Sequence, residues 1–215
     1  MRWIWWAALV AGISFTAGAW TGWDGSAMIA WKGAGVGLLA LWAGMQARGT
    51  DGWLITAVMA LSALGDMVLD AVGLIAGALF FLAAHVVAID LYARNRRSAL
   101  TRSQKLLVRL IAPLTVLIAL FCAVPMGQEL PIGFYAIALG TMASFAWASN
   151  FPRYRTGLGA MLFVASDLLI FSRMGPLSGS LIPDLLVWPL YFAGQAMIAW
   201  GVVATLRPRM DLTPR

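Results

Sequence analysis

Residues 61–70 read LSALGDMVLD, and they sit inside a long apolar run. Two carboxylates, Asp66 and Asp70, interrupt that run. A carboxylate at the centre of a bilayer costs roughly 2.5–3.5 kcal/mol on insertion scales, so it marks a site more often than a filler position. Asp66 and Asp70 are four residues apart, and Ser62 lies four before Asp66. On a helix all three share one face. A similar stretch comes a hundred residues later, at 163–170, FVASDLLI, where Asp167 follows the small residue Ser166. The chain between and around these stretches reads as a scaffold that brings Asp66 and Asp167 together.

Composition decides the class. The chain has 215 residues, 61% hydrophobic and only 11% charged, with a mean hydropathy of +0.83. A soluble domain is roughly 45–50% apolar and about 25% charged. Apolar stretches of about 20 residues, enough to cross a bilayer, follow one another with little between them. The expected fold is all-α: one integral membrane domain over 1–215, a polytopic bundle of about eight transmembrane helices. The spans are placed at 3–20, 28–46, 53–70, 72–93, 107–124, 131–149, 156–172 and 185–206. The first run imitates a signal peptide, but it is long enough to span and is read as a retained helix. Residues 71–73 must form a tight turn. Gly33 with Gly37, and Gly73 with Gly77, have the spacing that lets helices approach closely. Pro189 falls inside the last span, where it is expected to kink the helix beside Tyr191.

The net charge of +6 and a pI near 10.2 raise the question of nucleic acid. No nucleic-acid partner is expected, because the bases sit in short loops between apolar runs. Arg2, Arg48, Arg94, Arg96, Arg97, Arg102, Lys105, Arg153, Arg155, Arg207, Arg209 and Arg215 all fall on one side when spans are counted. The other side carries Asp24, Glu129 and Asp184, with Lys32 and Arg173 as its bases. Positive-inside topology then puts both termini and the basic loops in the cytoplasm, in a multi-pass protein of the cell inner membrane. Trp3, Trp5, Trp6, Trp20, Trp23, Trp31, Trp53 and Trp188 lie near span ends and read as interfacial anchors. Asp90 has Arg94 one turn later and reads as a surface pair. The single cysteine, Cys122, and the single histidine, His85, build neither a disulfide framework nor a Cys/His zinc site, so no metal is expected.

Depth can be counted at about 1.5 Å per residue. Lys32, Asp66, Asp70, Tyr135, Asp167 and Tyr191 then converge in the outer half of the bundle, with His85 and Gln195 deeper. Lys32 either snorkels to the headgroups, binds a phosphate or holds an aspartate ionised. Spans three and seven also share a small-Asp-x-apolar-apolar pattern, as a four-plus-four parallel repeat would. Two neighbouring carboxylates do not both ionise easily; one keeps its proton as general acid and the other serves as base. Such a pair suits acid-catalysed hydrolysis through an oxocarbenium-like state, or peptide hydrolysis.

The residues carry a resemblance. Ser62-x-x-Gly65-Asp66-x-x-Leu69, Gly77-x-x-Phe80 leading to His85, Tyr135, Gly159-Ala160-x-x-Phe163-x-x-Ser166-Asp167, and Tyr191-x-x-x-Gln195 follow one another in order. In these stretches the chain resembles the lysoplasmalogenase (YhhN-type) family of integral membrane proteins, from Lys32 to about Gln195. It departs at Lys32-Gly33, where the family commonly has Lys-Pro, and after His85, where Tyr92 stands further on than the family's tyrosine. The resemblance implies hydrolysis of the vinyl-ether bond of a lysoplasmalogen, giving a fatty aldehyde and glycerophosphoethanolamine or glycerophosphocholine. It implies Asp66 and Asp167 as the catalytic pair, without assigning which is the acid. Lys32, Asp70, His85, Tyr135, Tyr191 and Gln195 are the candidates for substrate contact. The implied partners are a lysophospholipid and the bilayer, with no cofactor; the sequence does not choose between monomer and homo-oligomer. Two other readings stand beside this one. An intramembrane aspartyl protease would use Leu64-Gly65-Asp66, although position 63 is alanine in place of the glycine of Gly-x-Gly-Asp. A proton-coupled small-solute transporter would use the aspartates as proton sites.

Overall fold

The computed structural model describes residues 2–21 and 25–207. Trp23, Asp24, Pro208, Arg209 and Arg215 lie outside them. The described residues form eight long helices: α1 (Arg2–Thr21), α2 (Ser26–Gly44), α3 (Gly49–Ala71), α4 (Leu74–Arg94), α5 (Arg102–Ala123), α6 (Glu129–Ala148), α7 (Leu158–Arg173) and α8 (Ile182–Leu206). All eight spans, counting with α7 the π-helical turn Arg153–Gly157 that leads into it, are long and apolar enough to cross a membrane. The eight expected spans are therefore all present, with ends displaced by a few residues. The largest displacements are at the polar starts of α3 and α5, where hydropathy is low but backbone geometry is helical. At α5 the reason is explicit. Thr101 and Gln104 form a reciprocal capping box that starts the helix at Arg102, ahead of the apolar run.

Short loops make consecutive helices antiparallel neighbours. The connection between α3 and α4 is the sharpest. Val72 closes α3, and Gly73 takes φ 132°, a conformation that favours glycine. Sequential pairs pack side by side except α4 and α5; α4 packs on α6 instead, and α5 touches α7. Helix α8 is the inner pillar, lying against α1, α2, α3 and α7. The two halves pack differently: α2 lies along α3, whereas α6 touches α7 only slightly and α5 reaches it instead. The parallel pattern therefore stays local to the two aspartate turns.

Side chains fix α8 at both ends. Phe15, Trp31, Trp188 and Phe192 cluster at one end, and Trp188 Nε1 donates to Gly12 O at 2.8 Å. Trp188 is thus buried against α1, which corrects its reading as an interfacial anchor. Trp5, Trp42 and Trp200 cluster at the other end, so Trp5 also serves packing. Trp3, Trp6, Trp20 and Trp53 are exposed, as anchors should be. Helix α8 continues through Pro189. The proline has no N–H for the Leu185 carbonyl four residues earlier. Trp20 Nε1 donates to that carbonyl at 3.3 Å instead.

At the basic-loop end, Asp51 at the start of α3 accepts from Arg94 at 3.2 Å and from Asn95 at 2.9 Å. This corrects the expected Asp90–Arg94 pair. Asp90 faces outward on α4, while Asp51 receives two donors that close the end of that helix. Arg97 donates to Ser149 O, tying the α4–α5 loop to the α6–α7 loop.

Candidate active site

Asp66 lies on α3 and Asp167 on α7, each within two turns of its helix's C-terminal end. Both are buried, at 3% and 6% exposure. Each accepts one tyrosine hydroxyl from a different helix. Tyr191 of α8 donates to Asp66 Oδ2 at 2.7 Å, and Tyr135 of α6 donates to Asp167 Oδ2 at 2.6 Å. These are the short lengths of a hydroxyl bonded to a carboxylate. Neither tyrosine is a belt aromatic.

Each tyrosine is backed by another polar side chain. His85 Nε2 lies 3.2 Å from Tyr135 Oη. The Tyr135 hydrogen is committed to Asp167, so the histidine supplies its Nε2–H to the phenol oxygen. Gln195 follows Tyr191 by one turn on α8 and is buried at 1% exposure. Its two amide atoms have no hydrogen-bond partner among the described residues.

The two Asp–Tyr pairs are linked through one aromatic ring and His85. Phe163 of α7 lies 5.2 Å from the Tyr191 ring and 5.2 Å from the His85 ring, measured between centroids. Phe81 of α4 closes the same wall, 5.9 Å from Tyr191 and 6.1 Å from Phe163. The connected order is Asp66, Tyr191, Phe163, His85, Tyr135, Asp167. Helices α3, α4, α6, α7 and α8 therefore contribute to one constellation. Gly65 is what admits Phe81: a Cβ there would stand about 3.0 Å from the phenyl ring. Ser166 Oγ donates to Val187 O at 2.9 Å and pins the Asp167 turn to α8.

Lys32 and Asp70 stand at the edge of this group. Lys32 Nζ lies 2.7 Å from Asp70 Oδ1, a pair linking α2 to α3 with side-chain exposures of 15% and 33%. Of the three readings of Lys32, the structure shows an ion pair, made with Asp70 rather than with either buried aspartate. Arg173, the other base on this side, pairs with Asp184 at 3.1 Å.

Sequence reasoning placed His85 deeper than the tyrosines and left its partner open; the structure joins it to the Asp167 arm. The ring wall of Phe81 and Phe163 was missed as a feature of the site. Its signal is visible in retrospect, since Phe163 precedes Asp167 by four residues and shares its face. Among the described residues no group of three or more His, Cys, Asp or Glu side chains is placed to hold a metal ion. Chemically, the arrangement is a pair of carboxyl groups, each held by one oxygen and open at the other, in an apolar and aromatic setting.

The model of the YhhN family matches residues 27–202. That stretch contains every residue of the constellation and leaves out α1, which nonetheless packs on α2 and α8. No curated protein and no solved structure matches the chain.

Proposed function

The chain belongs to the YhhN family, and from that premise we propose that it is a membrane hydrolase cleaving the vinyl-ether bond of a lysoplasmalogen by two-aspartate acid–base catalysis. The observation that carries the reading is the matched pair of Asp–Tyr hydrogen bonds, linked to each other through Phe163 and His85.

One aspartic acid gives its proton to the β-carbon of the vinyl ether. The double bond shifts, and an oxocarbenium ion forms at the ether carbon. The second, ionised aspartate stabilises that cation and takes a proton from water as the water adds. The hemiacetal collapses to a fatty aldehyde and the glycerophosphoester alcohol. The tyrosines hold each carboxyl by one oxygen, so the other is aimed at the ligand. Phe163 and Phe81 give the alkenyl chain an apolar wall and face the developing cation with π-electrons. Lys32, at the edge, contacts the phosphate, and Asp70 keeps the ammonium in place. The substrate enters from the bilayer, the protein resides in the inner membrane, and no cofactor takes part.

The test is release of fatty aldehyde from lysoplasmenyl lipid by the purified protein. Asp66→Asn and Asp167→Asn should each lower turnover by about 10²–10⁴-fold, the usual contribution of a positioned acid or base. Peptide cleavage or solute uptake without lipid turnover would replace this reading by a protease or a transporter.

A further inference from the structure

One turn toward the basic-loop end from the Asp66–Tyr191 pair lies a small cavity. Its lining includes Ser62, His85, Tyr92, Met142, Phe163 and Gln195. Its size admits about one water molecule. Three of these side chains carry polar atoms with no hydrogen-bond partner: Ser62 Oγ, Tyr92 Oη, and both Nε2 and Oε1 of Gln195. All three residues are 1% exposed. Orphaned polar atoms in an apolar interior are costly, because their lost hydration is not replaced. Here they cluster around one small space, from helices α3, α4 and α8. A water needs two to four polar partners and about this much room. An apolar cavity of the same size would stay dry.

We propose that this cavity is a resident-water site, held by Ser62, Tyr92 and Gln195, and that it supplies the water used at Asp66. The placement is specific. Ser62 precedes Asp66 by one turn of α3, and Gln195 follows Tyr191 by one turn of α8. The unpartnered atoms that would hold the water therefore flank the Asp66 arm. His85, of the Asp167 arm, also lines the cavity, but its Nε2 is already engaged with Tyr135. In the hydrolysis proposed above, on which this second half rests, Asp66 is then the base that accepts the water's proton, and Asp167 is the acid that protonates carbon.

Hydroxyl-radical footprinting by synchrotron radiolysis tests the site on the resting protein, without substrate. Radicals generated from a bound water oxidise the side chains next to it, however deeply they are buried. Tyr92 and Met142 should be labelled in the wild type and lose that labelling in the Ser62→Ala/Gln195→Leu double variant, without a rise in melting temperature. Wild-type labelling no higher than that of the dry core residues Leu39 and Met59 would overturn the site. So would unchanged labelling in the variant. A variant more heat-stable than the wild type would also overturn it, because removing orphaned polar groups from a dry cavity stabilises. The role of the water is read separately, from turnover in the presence of methanol. Methanol and water compete for the oxocarbenium ion, giving a mixed methyl acetal or the aldehyde. The double variant should shift products toward the acetal; an unchanged ratio would overturn the assignment of Asp66 as base while leaving the labelling result standing. Absence of any product from wild type would count against the hydrolase reading alone.

Discussion

At the level of single residues, the proposed function rests on two carboxyl groups that are each held by one oxygen. Tyr191 and Tyr135 engage Oδ2 of Asp66 and Asp167. Replacing either tyrosine by phenylalanine keeps the ring contacts and removes the hydroxyl. A hydrogen bond to a charged group contributes about 1.5–3 kcal/mol. Tyr191→Phe and Tyr135→Phe should therefore each lower kcat/KM by some 10- to 100-fold, measured as aldehyde release. An unchanged rate in both would reduce the tyrosines to packing. The two aspartates were legible in the sequence because a buried acid in an apolar run is conspicuous. Their tyrosine partners were legible only as residues at a similar depth, since depth counting fixes height along a helix but not rotation about its axis. The same limit explains Asp90. Spacing of four places it beside Arg94 on a surface, but rotation turned it outward and left Asp51, across the helix pair, as the partner.

At the level of the element, the α7–α8 contact matters most to the site, because it sets Asp167 against the helix that carries Tyr191. Gly159 and Gly194 face each other there. A Cβ built on Gly159 would stand 2.7 Å from Gly194 O, and one on Gly194 would stand 2.6 Å from Gly159 O. The neighbours are backbone and cannot rotate away. Gly194→Val should destabilise by about 1–3 kcal/mol, as overpacking does, and should lower both melting temperature in detergent and turnover. A surface change on α5, such as Leu117→Val, should leave both within error, because Leu117 is exposed on a helix at the rim. Equal melting temperatures for Gly194→Val and wild type would show that the helices are free to separate. Hydropathy made each span legible; it said little about which spans touch. Of the glycine pairs noticed in the sequence, Gly33 and Gly37 lie against Met67 and Ala63, and Gly77 lies against Leu69, whereas Gly73 has no neighbour across a helix contact and serves the turn. The Gly159/Gly194 approach is invisible by spacing, because its two members lie on different helices. Trp188 was misplaced for a related reason: nearness to a span end does not reveal which way the indole points.

For the whole molecule, the orientation expected from the sequence rests on the charge distribution. Arg94, Arg96, Arg97, Arg102 and Arg153 gather at one end, where Arg94 donates to Asp51, Arg97 to Ser149 O and Arg153 to Gln104 Oε1. At the opposite end both described bases are already neutralised, Lys32 by Asp70 and Arg173 by Asp184. The excess of lysine and arginine at the first end favours both termini on the cytoplasmic side. With Cys122 replaced by alanine, a single cysteine introduced by Ser98→Cys, in the α4–α5 loop, should react with a membrane-impermeant maleimide only in inverted vesicles. One introduced by Ser178→Cys, in the α7–α8 loop, should react only in right-side-out vesicles. The reverse pattern would invert the orientation and put the aspartates near the cytoplasmic face.

The central claim is that Asp66 and Asp167 act on one substrate as a unit, and a double-mutant cycle on turnover tests it most directly. Groups that work together in one step are strongly non-additive when removed. Residual kcat/KM for aldehyde release should be nearly the same in Asp66→Asn, Asp167→Asn and the variant carrying both changes. Losses that multiply, with the double variant falling by the product of the two single effects, would contradict the account and assign the two carboxyl groups to independent tasks.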